Sequence, residues 1–265
     1  MRRLALHISS VLAAACVLSC SVKEDRSGAP CYLTVHLDDA DPDDVHVTAV
    51  VITSHQEAMV SRDTLVIKEH VPQGFDIRMP RGWNRLAALA GNVHSVVRDA
   101  SVVVPEGRNF DRLWIHRSEL DCNWDTEHDF VKFTKEHTEI EIRPLHPVAG
   151  YYPYDMRLRS STCGVALYER MPVDGKFSAY ASRNRDGTLT AVLPRQQDDS
   201  MVLDILRPDG TIEISFQLGR MIAATGFDWW AENLDDITVT IDYASMDLSV
   251  KIKGWDDQNQ GVIII

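Results

Sequence analysis

The sequence predicts an all-β fold, two β-sandwich domains in tandem with one short helix in the second. Short runs in which apolar and polar residues alternate recur from Cys31 onward, and alternation of this kind turns one face of a strand into a core. Turns rich in Asp, Gly, Pro and Asn separate the runs, as in sandwiches of short strands. The 265 residues suffice for two domains of ~100–130 residues, and with 45% hydrophobic residues each half can bury a core.

The N-terminal residues stand apart from this pattern. Arg2 and Arg3 precede a small apolar stretch, residues 4–17. Residues 1–19 read as a secretory signal peptide, too short and too early to be a lasting membrane span. Val17-Leu18-Ser19-Cys20 resembles a bacterial lipobox, in which the cysteine is lipidated and becomes the mature N-terminus. Cys20 is therefore the expected lipidation site, since several acyl chains anchor stably where one is marginal. Ala13-Ala14-Ala15-Cys16 is a poorer match, lacking the branched residue three places upstream. Residues 20–30 form a polar tether, and the acidic Glu24 and Asp25 resemble the surface-export signal of some Gram-negative lipoproteins.

The first sandwich is expected over residues 31–126. Leu33, Val35 and Leu37 alternate in its opening run, and Val45, Val47 and Ala49 repeat the pattern, which stays apolar to Ile52. Leu65 with Ile67 follows, then Phe75, Ile77 and Met79, then Leu86, Ala88 and Ala90, then Val102 with Val104. The second sandwich is expected over residues 127–265. Its runs are Ile140 with Ile142, Met156 with Leu158, Phe177 with Ala179 and Ala181, and Leu189 with Ala191 and Leu193. Residues 201–206 and 211–216 flank Arg207-Pro208-Asp209-Gly210. There Pro presets φ and Asp-Gly reverses the chain, which makes a hairpin. Residues 218–225 read as the short helix, stopped by Gly226. Residues 237–243 form a strong strand with Leu248, Val250 and Ile252 as its hairpin partner. The two sandwiches are expected to meet between Asp121 and Thr134, where the rhythm lapses.

The chemistry-bearing residues point away from catalysis. A formal net charge of −12 argues against nucleic acid as a partner. The chain lacks G-x-S-x-G, a Walker loop and G-x-G-x-x-G, so no enzyme activity, catalytic residue or cofactor is expected. Asp39, Asp41 and Asp43 have the spacing of the first EF-hand ligands, but Asp44 and Val50 stand where that loop needs Gly and Glu. A charged turn is expected instead. His116, Cys122, His128 and His137 come nearest to a zinc set but lack its spacing, and no metal site is expected. Cys31, Cys122 and Cys163 allow at most one internal disulfide, and the sequence does not choose it. Of six tryptophans, at least four are expected to pack in a core or at strand ends; the adjacent Trp229 and Trp230 cannot both face one core.

Taken in order, these features resemble the FimB/Mfa-type fimbrial anchor subunits of gut and oral Gram-negative bacteria. The resemblance is carried by Ser19-Cys20, Lys23-Glu24-Asp25-Arg26-Ser27 and Pro30-Cys31 at one end. At the other it is carried by Leu218-Gly219-Arg220, Gly226-Phe227-Asp228-Trp229, Leu234-Asp235-Asp236-Ile237 and Trp255. The family commonly has a second cysteine where this chain has Ala29. The resemblance implies two transthyretin-like sandwiches and attachment to the outer membrane through Cys20. It also implies a place at the base of a fimbria, fixing it to the cell surface and limiting its length, with a fimbrial stalk subunit as partner. A glycan-binding surface lipoprotein is the alternative.

In the related stalk subunits, as the family implies, proteolysis removes the first strand and a neighbour's strand fills the groove. Here Cys20 lies eleven residues before Cys31, so losing that strand would lose the lipid. The subunit is therefore expected to keep its first strand. The β-branched tail Val262, Ile263, Ile264 and Ile265 either completes its own domain or is donated to the partner.

Overall fold

A computed structural model describes residues 28–36, 47–54, 75–91, 94–98, 100–145, 154–242 and 247–252. The described chain is built of β-strands with a single helix, the all-β class expected. Expected runs at Leu37, at Leu65 with Ile67 and at Tyr243 lie outside the described residues, as do the Asp39–Asp44 turn and Trp255.

Two sheets form the first sandwich. One has the order β3-β1-β8, from β1 (Cys31–His36), β3 (Phe75–Met79) and β8 (Thr126–Phe130). The other has the order β2-β4-β7-β9, from β2 (Val47–Ser54), β4 (Trp83–Ala90), β7 (Trp114–Asp121) and β9 (Thr134–Lys135). Cys31, Leu33, Val35 and Met79 face Leu86, Ala88, Ala90 and Leu120 across one core.

The second sandwich repeats the plan on a larger scale. One sheet contains β5 (Val96–Arg98), β6 (Ser101–Val103), β11 (Asp155–Ala166), β12 (Pro172–Tyr180), β15 (Val202–Leu206) and β16 (Ile212–Phe216). The other contains β10 (His137–Leu145), β13 (Ser182–Arg183), β14 (Leu189–Pro194), β17 (Ile237–Asp242) and β18 (Asp247–Ile252). The helix α1 (Leu218–Ala224) buries Leu218, Met221 and Ile222 in the same core and ends at Thr225, ahead of Gly226 as expected. The hairpin of β15 and β16 closes at the expected turn, where Gly210 takes φ 82° and its N–H donates to Arg207 O at 2.8 Å.

The opening strands of the two sandwiches sit alike. β1 lies between antiparallel β3 and parallel β8. β10 lies between antiparallel β14 and parallel β17. A parallel neighbour cannot be reached by a tight turn, so in each sandwich a long excursion of chain separates the two strands of the parallel pair.

Strand pairing crosses the expected join twice. β8 contains residue 127, the expected start of the second sandwich, yet it pairs with β1 of the first. In the other direction the β5–β6 hairpin leaves the first sandwich and pairs with β11 of the second, with Val102 opposite Val165. The chain stays there until Leu113. Val104 N–H donates to Cys163 O and Phe110 N–H to Val192 O, while Val97, Val102, Val104, Phe110 and Leu113 fill the second core.

This hairpin is seated by a missing side chain. A Cβ on Gly164 would stand 2.1 Å from Val102 O and 2.9 Å from Val103 Cα. Gly164→Ala should therefore lift the hairpin from β11 and cost about 2 kcal/mol, within the range for overpacked cores. Urea unfolding reads the loss, and hydrogen exchange should accelerate first at Val102, Val103 and Val104.

Candidate functional site

The ends of the chain that sequence reasoning marked as functional, Cys20 and Val262, Ile263, Ile264 and Ile265, lie outside the described residues. What the structure adds is how the chain that follows the tether is held, and how one sandwich is fixed to the other.

The tether runs into β1 beside Arg81. Its Nε donates to Ala29 O at 2.7 Å, its Nη1 to Asn123 O at 2.8 Å, and its Nη2 meets Asp125 Oδ1 at 2.5 Å. One guanidinium therefore ties the incoming chain to the turn between β7 and β8. Tyr32 N–H donates to Asp125 O at 2.9 Å at the same place. Beyond it Cys31, Leu33 and Val35 are fully buried. At the far end of β1, His36 stacks on Phe130 with ring centroids 4.4 Å apart and shares a 3.0 Å hydrogen bond with His128.

The sandwiches meet around one buried carboxylate. Glu136 is fully buried between β9 and β10. Its Oε1 accepts from Arg117 of β7 at 2.9 Å and from Arg170 of the β11–β12 turn at 3.1 Å. Its Oε2 accepts from Arg195 Nη2 at 2.9 Å. The arginines reach further: Arg170 to Glu232 O at 2.5 Å, Arg195 to Trp229 O and to Ala231 O at 3.1 Å, and Arg117 to Leu167 O. Burial pulls the Arg117 guanidinium below its ordinary value, against the stabilising pull of Glu136.

A surface cleft opens above this junction. Arg85, Arg117, Ser118, Glu119, Tyr168 and Glu169 line a depression of about 190 Å³. It adjoins a second of about 410 Å³ bounded by Trp83, Asn84, Arg85 and Glu119. Arg85 bridges Glu119 at 3.3 Å and Glu169 at 3.2 Å and lies 5.7 Å from the Tyr168 ring centre. The cleft offers an aromatic face, Trp83 at 57% exposure, beside fixed charges of both signs.

The tryptophan expectation needs correcting. Trp83, Trp124 and Trp230 are exposed, so three of the five described tryptophans leave the packing expected for at least four of the six. Trp83 is the first residue of β4 and Trp124 sits in the turn after β7, where the strand pattern no longer directs side chains inward. The adjacent pair divides as expected: Trp229 packs on the second core, edge-on to Phe227 at 4.6 Å, and Trp230 faces solvent.

The four residues that came nearest to a zinc set are engaged separately. His116 Nε2 bonds Asp129 at 2.9 Å, His128 stacks on His36, Cys122 lies in the first core, and His137 Nδ1 donates to Leu113 O at 3.1 Å. Asp129 is raised by burial, but the hydrogen bonds from His116 and Ser118 outweigh that and hold its carboxyl below the ordinary range.

The fold is shared with solved bacterial proteins. No protein-family model matches the chain, and no curated protein does. Among solved structures it is similar to the fimbrial anchor protein Mfa2 of Porphyromonas gingivalis. The two share 14% identity and a TM-score of 0.56, over 85% of this chain and 97% of that one. It is similar to a candidate adhesin of Bacteroides ovatus at 10% identity and TM-score 0.58, over 89% and 94% of the two chains. A candidate polysaccharide-binding protein of Bacteroides thetaiotaomicron matches at 11% identity and TM-score 0.58, over 87% and 100%. At such identities the likeness is one of fold.

The junction carries its own pH response. His137 is buried against Trp114, ring centres 4.7 Å apart, and burial pushes its imidazole down from 6.5 to about 4. Nearby Lys135 and Arg112 add to the depression, while Asp236 opposes it. The folded state thus binds this proton less readily than the unfolded chain. Its contribution to stability is complete above pH 6.5 and is lost as pH falls toward 4. Thermal unfolding between pH 7.5 and 4.5 should show a falling midpoint in the wild type and a flatter profile in His137→Gln.

Proposed function

We propose that this chain is a lipid-anchored fimbrial subunit, non-catalytic, that attaches the base of a fimbria to the outer membrane and limits its length. The observation that carries the reading is the position of β1. The strand eleven residues beyond Cys20 sits between two neighbours, with three side chains fully buried. A subunit so built keeps its own first strand and leaves no vacancy for a neighbour's strand on that side. Growth then proceeds from one end only, which suits an anchor and a terminator. The fold shared with Mfa2 supports the same reading.

In this reading Cys20 carries the lipid, the polar tether spans from membrane to sandwich, and Val262, Ile263, Ile264 and Ile265 extend to the stalk subunit by strand addition. Among the described residues β18, which precedes the tail in sequence, is an edge strand of its sheet. A second reading, a glycan-binding surface lipoprotein, is favoured by the exposed Trp83 and the Tyr168 ring around the cleft, since aromatic faces form platforms for sugars. Under it, added oligosaccharide shifts the tryptophan fluorescence.

Two variants test the anchor. Cys20→Ala should abolish labelled fatty-acid incorporation and release the protein from the membrane fraction; unchanged label and partitioning would rule out lipidation there. Deleting residues 262–265 should leave the melting temperature and lipidation unchanged while cells shed their fimbriae. A large fall in melting temperature would instead assign the tail to its own domain.

A further inference from the structure

We propose that Cys31 and Cys122 form a disulfide that staples the opening strand to the sheet facing it. The sequence left three mature cysteines without a choice of pair; the fold makes the choice. Cys31 is the first residue of β1, opposite Met79. Cys122 follows β7 directly, and its N–H donates to Gly82 O at 2.9 Å. Three residues later Asp125 O accepts the N–H of Tyr32 at 2.9 Å. The chain leaving β7 therefore crosses from one sheet to the other and lies along the start of β1.

Both cysteines are fully buried in the same core, among Leu33, Met79, Leu86 and Leu120. Their side chains are within hydrogen-bonding reach of each other. Cys163 belongs to the second sandwich, where its Sγ faces Asp174 O at 3.7 Å, so it does not compete. A bond here would close a loop between residues ninety-one apart, and long loops are where a crosslink most restricts the unfolded chain.

The chemistry sets an order of events. In the folded state burial pushes the Cys122 thiol up to about 12 and raises Cys31 as well, and thiols rather than thiolates are poor partners in exchange. The bond therefore forms while β1 is still undocked. One cysteine thiolate attacks the disulfide of the oxidant, giving a mixed disulfide and freeing one oxidant thiolate. The other cysteine thiolate then displaces the second oxidant sulfur and closes the ring. Two electrons pass to the oxidant, and the two cysteine protons end on its two thiols. In the cell that oxidant is an exported thiol–disulfide oxidoreductase, so the cellular setting rests on the exported location proposed above; the geometry does not.

The test is refolding in vitro. Purified full chain carrying Cys16→Ser and Cys20→Ser, reduced and unfolded in guanidinium, is diluted into oxidised and reduced glutathione, trapped with iodoacetamide and mapped by mass spectrometry. The expected result is a linked peptide pair holding Cys31 and Cys122, with Cys163 alkylated. The melting temperature should rise by ~10 °C over protein refolded with reductant. Cys163→Ala should keep the link. Alkylation of both Cys31 and Cys122 after oxidative refolding, or a link through Cys163, would overturn the proposal. Since the oxidant is supplied, failure here is distinct from failure of export, which membrane fractionation reads.

Discussion

The two sandwiches hold one arrangement because a single carboxylate, Glu136, has no other way to be satisfied. An ionised group removed from water costs several kcal/mol unless charges and hydrogen bonds replace the solvent. Here the replacement comes from three arginines on three parts of the chain: Arg117 on the first sandwich, Arg170 and Arg195 on the second. Arg195 is itself almost wholly buried, at 1% exposure, and its remaining donors go to the carbonyls of Trp229 and Ala231. The loop before β17 is thereby drawn into the same knot. It is held a second time where Lys135 Nζ meets Asp236 at 2.6 Å and Asp236 accepts the N–H of Glu139 at 2.8 Å. Such a network gains more in specificity of arrangement than in net stability. Any sliding of one sandwich on the other strands a buried charge.

The same constraint explains the middle of the molecule. β4 is buried on both faces: Leu86, Ala88 and Ala90 point into the first core, Ala87 and Leu89 into the second. Ile115 on β7 also joins the second core. The sheet that carries Arg117 thus serves as a wall shared by both sandwiches. The β5–β6 hairpin, sent across from the same sheet, adds covalent continuity to that wall. The short side chains along β4 suit a strand packed on both sides, where bulk on either face would push the layers apart.

How much of this was legible in the sequence follows from what alternation reports. It registers an apolar residue directed at a core, so β1, β3, β10, β14 and β17 were readable from Leu33, Ile77, Ile140, Ala191 and Val239. The hairpin at Asp209-Gly210 and the helix before Gly226 were readable from their turn and stop residues. β8 was not, because its one buried side chain is Asp129, satisfied by His116 and Ser118 across the core. A polar inward position reads as a loop. β7 is hidden for a related reason: His116 and Ser118 break its apolar rhythm. Alternation also does not name the sheet that a strand joins, so Val102 and Val104 read as strand without showing that they belong to the second sandwich. The Glu136 knot left no local signal, since its arginines are separated by up to 78 residues of chain between Arg117 and Arg195 and only folding brings them together.

The security of β1 can be judged by what its removal would expose. Cys31, Leu33 and Val35 are each 0% exposed, and burying side chains of this size contributes ~1.5–3 kcal/mol apiece. Their sum is comparable with the whole stability of an ordinary domain, ~5–15 kcal/mol. Both neighbours would also lose a hydrogen-bonding partner, since β3 and β8 pair with β1 on opposite sides and not with each other. Among the described residues no other strand joins β3 to β8, so the opening strand acts as the keystone of this sheet.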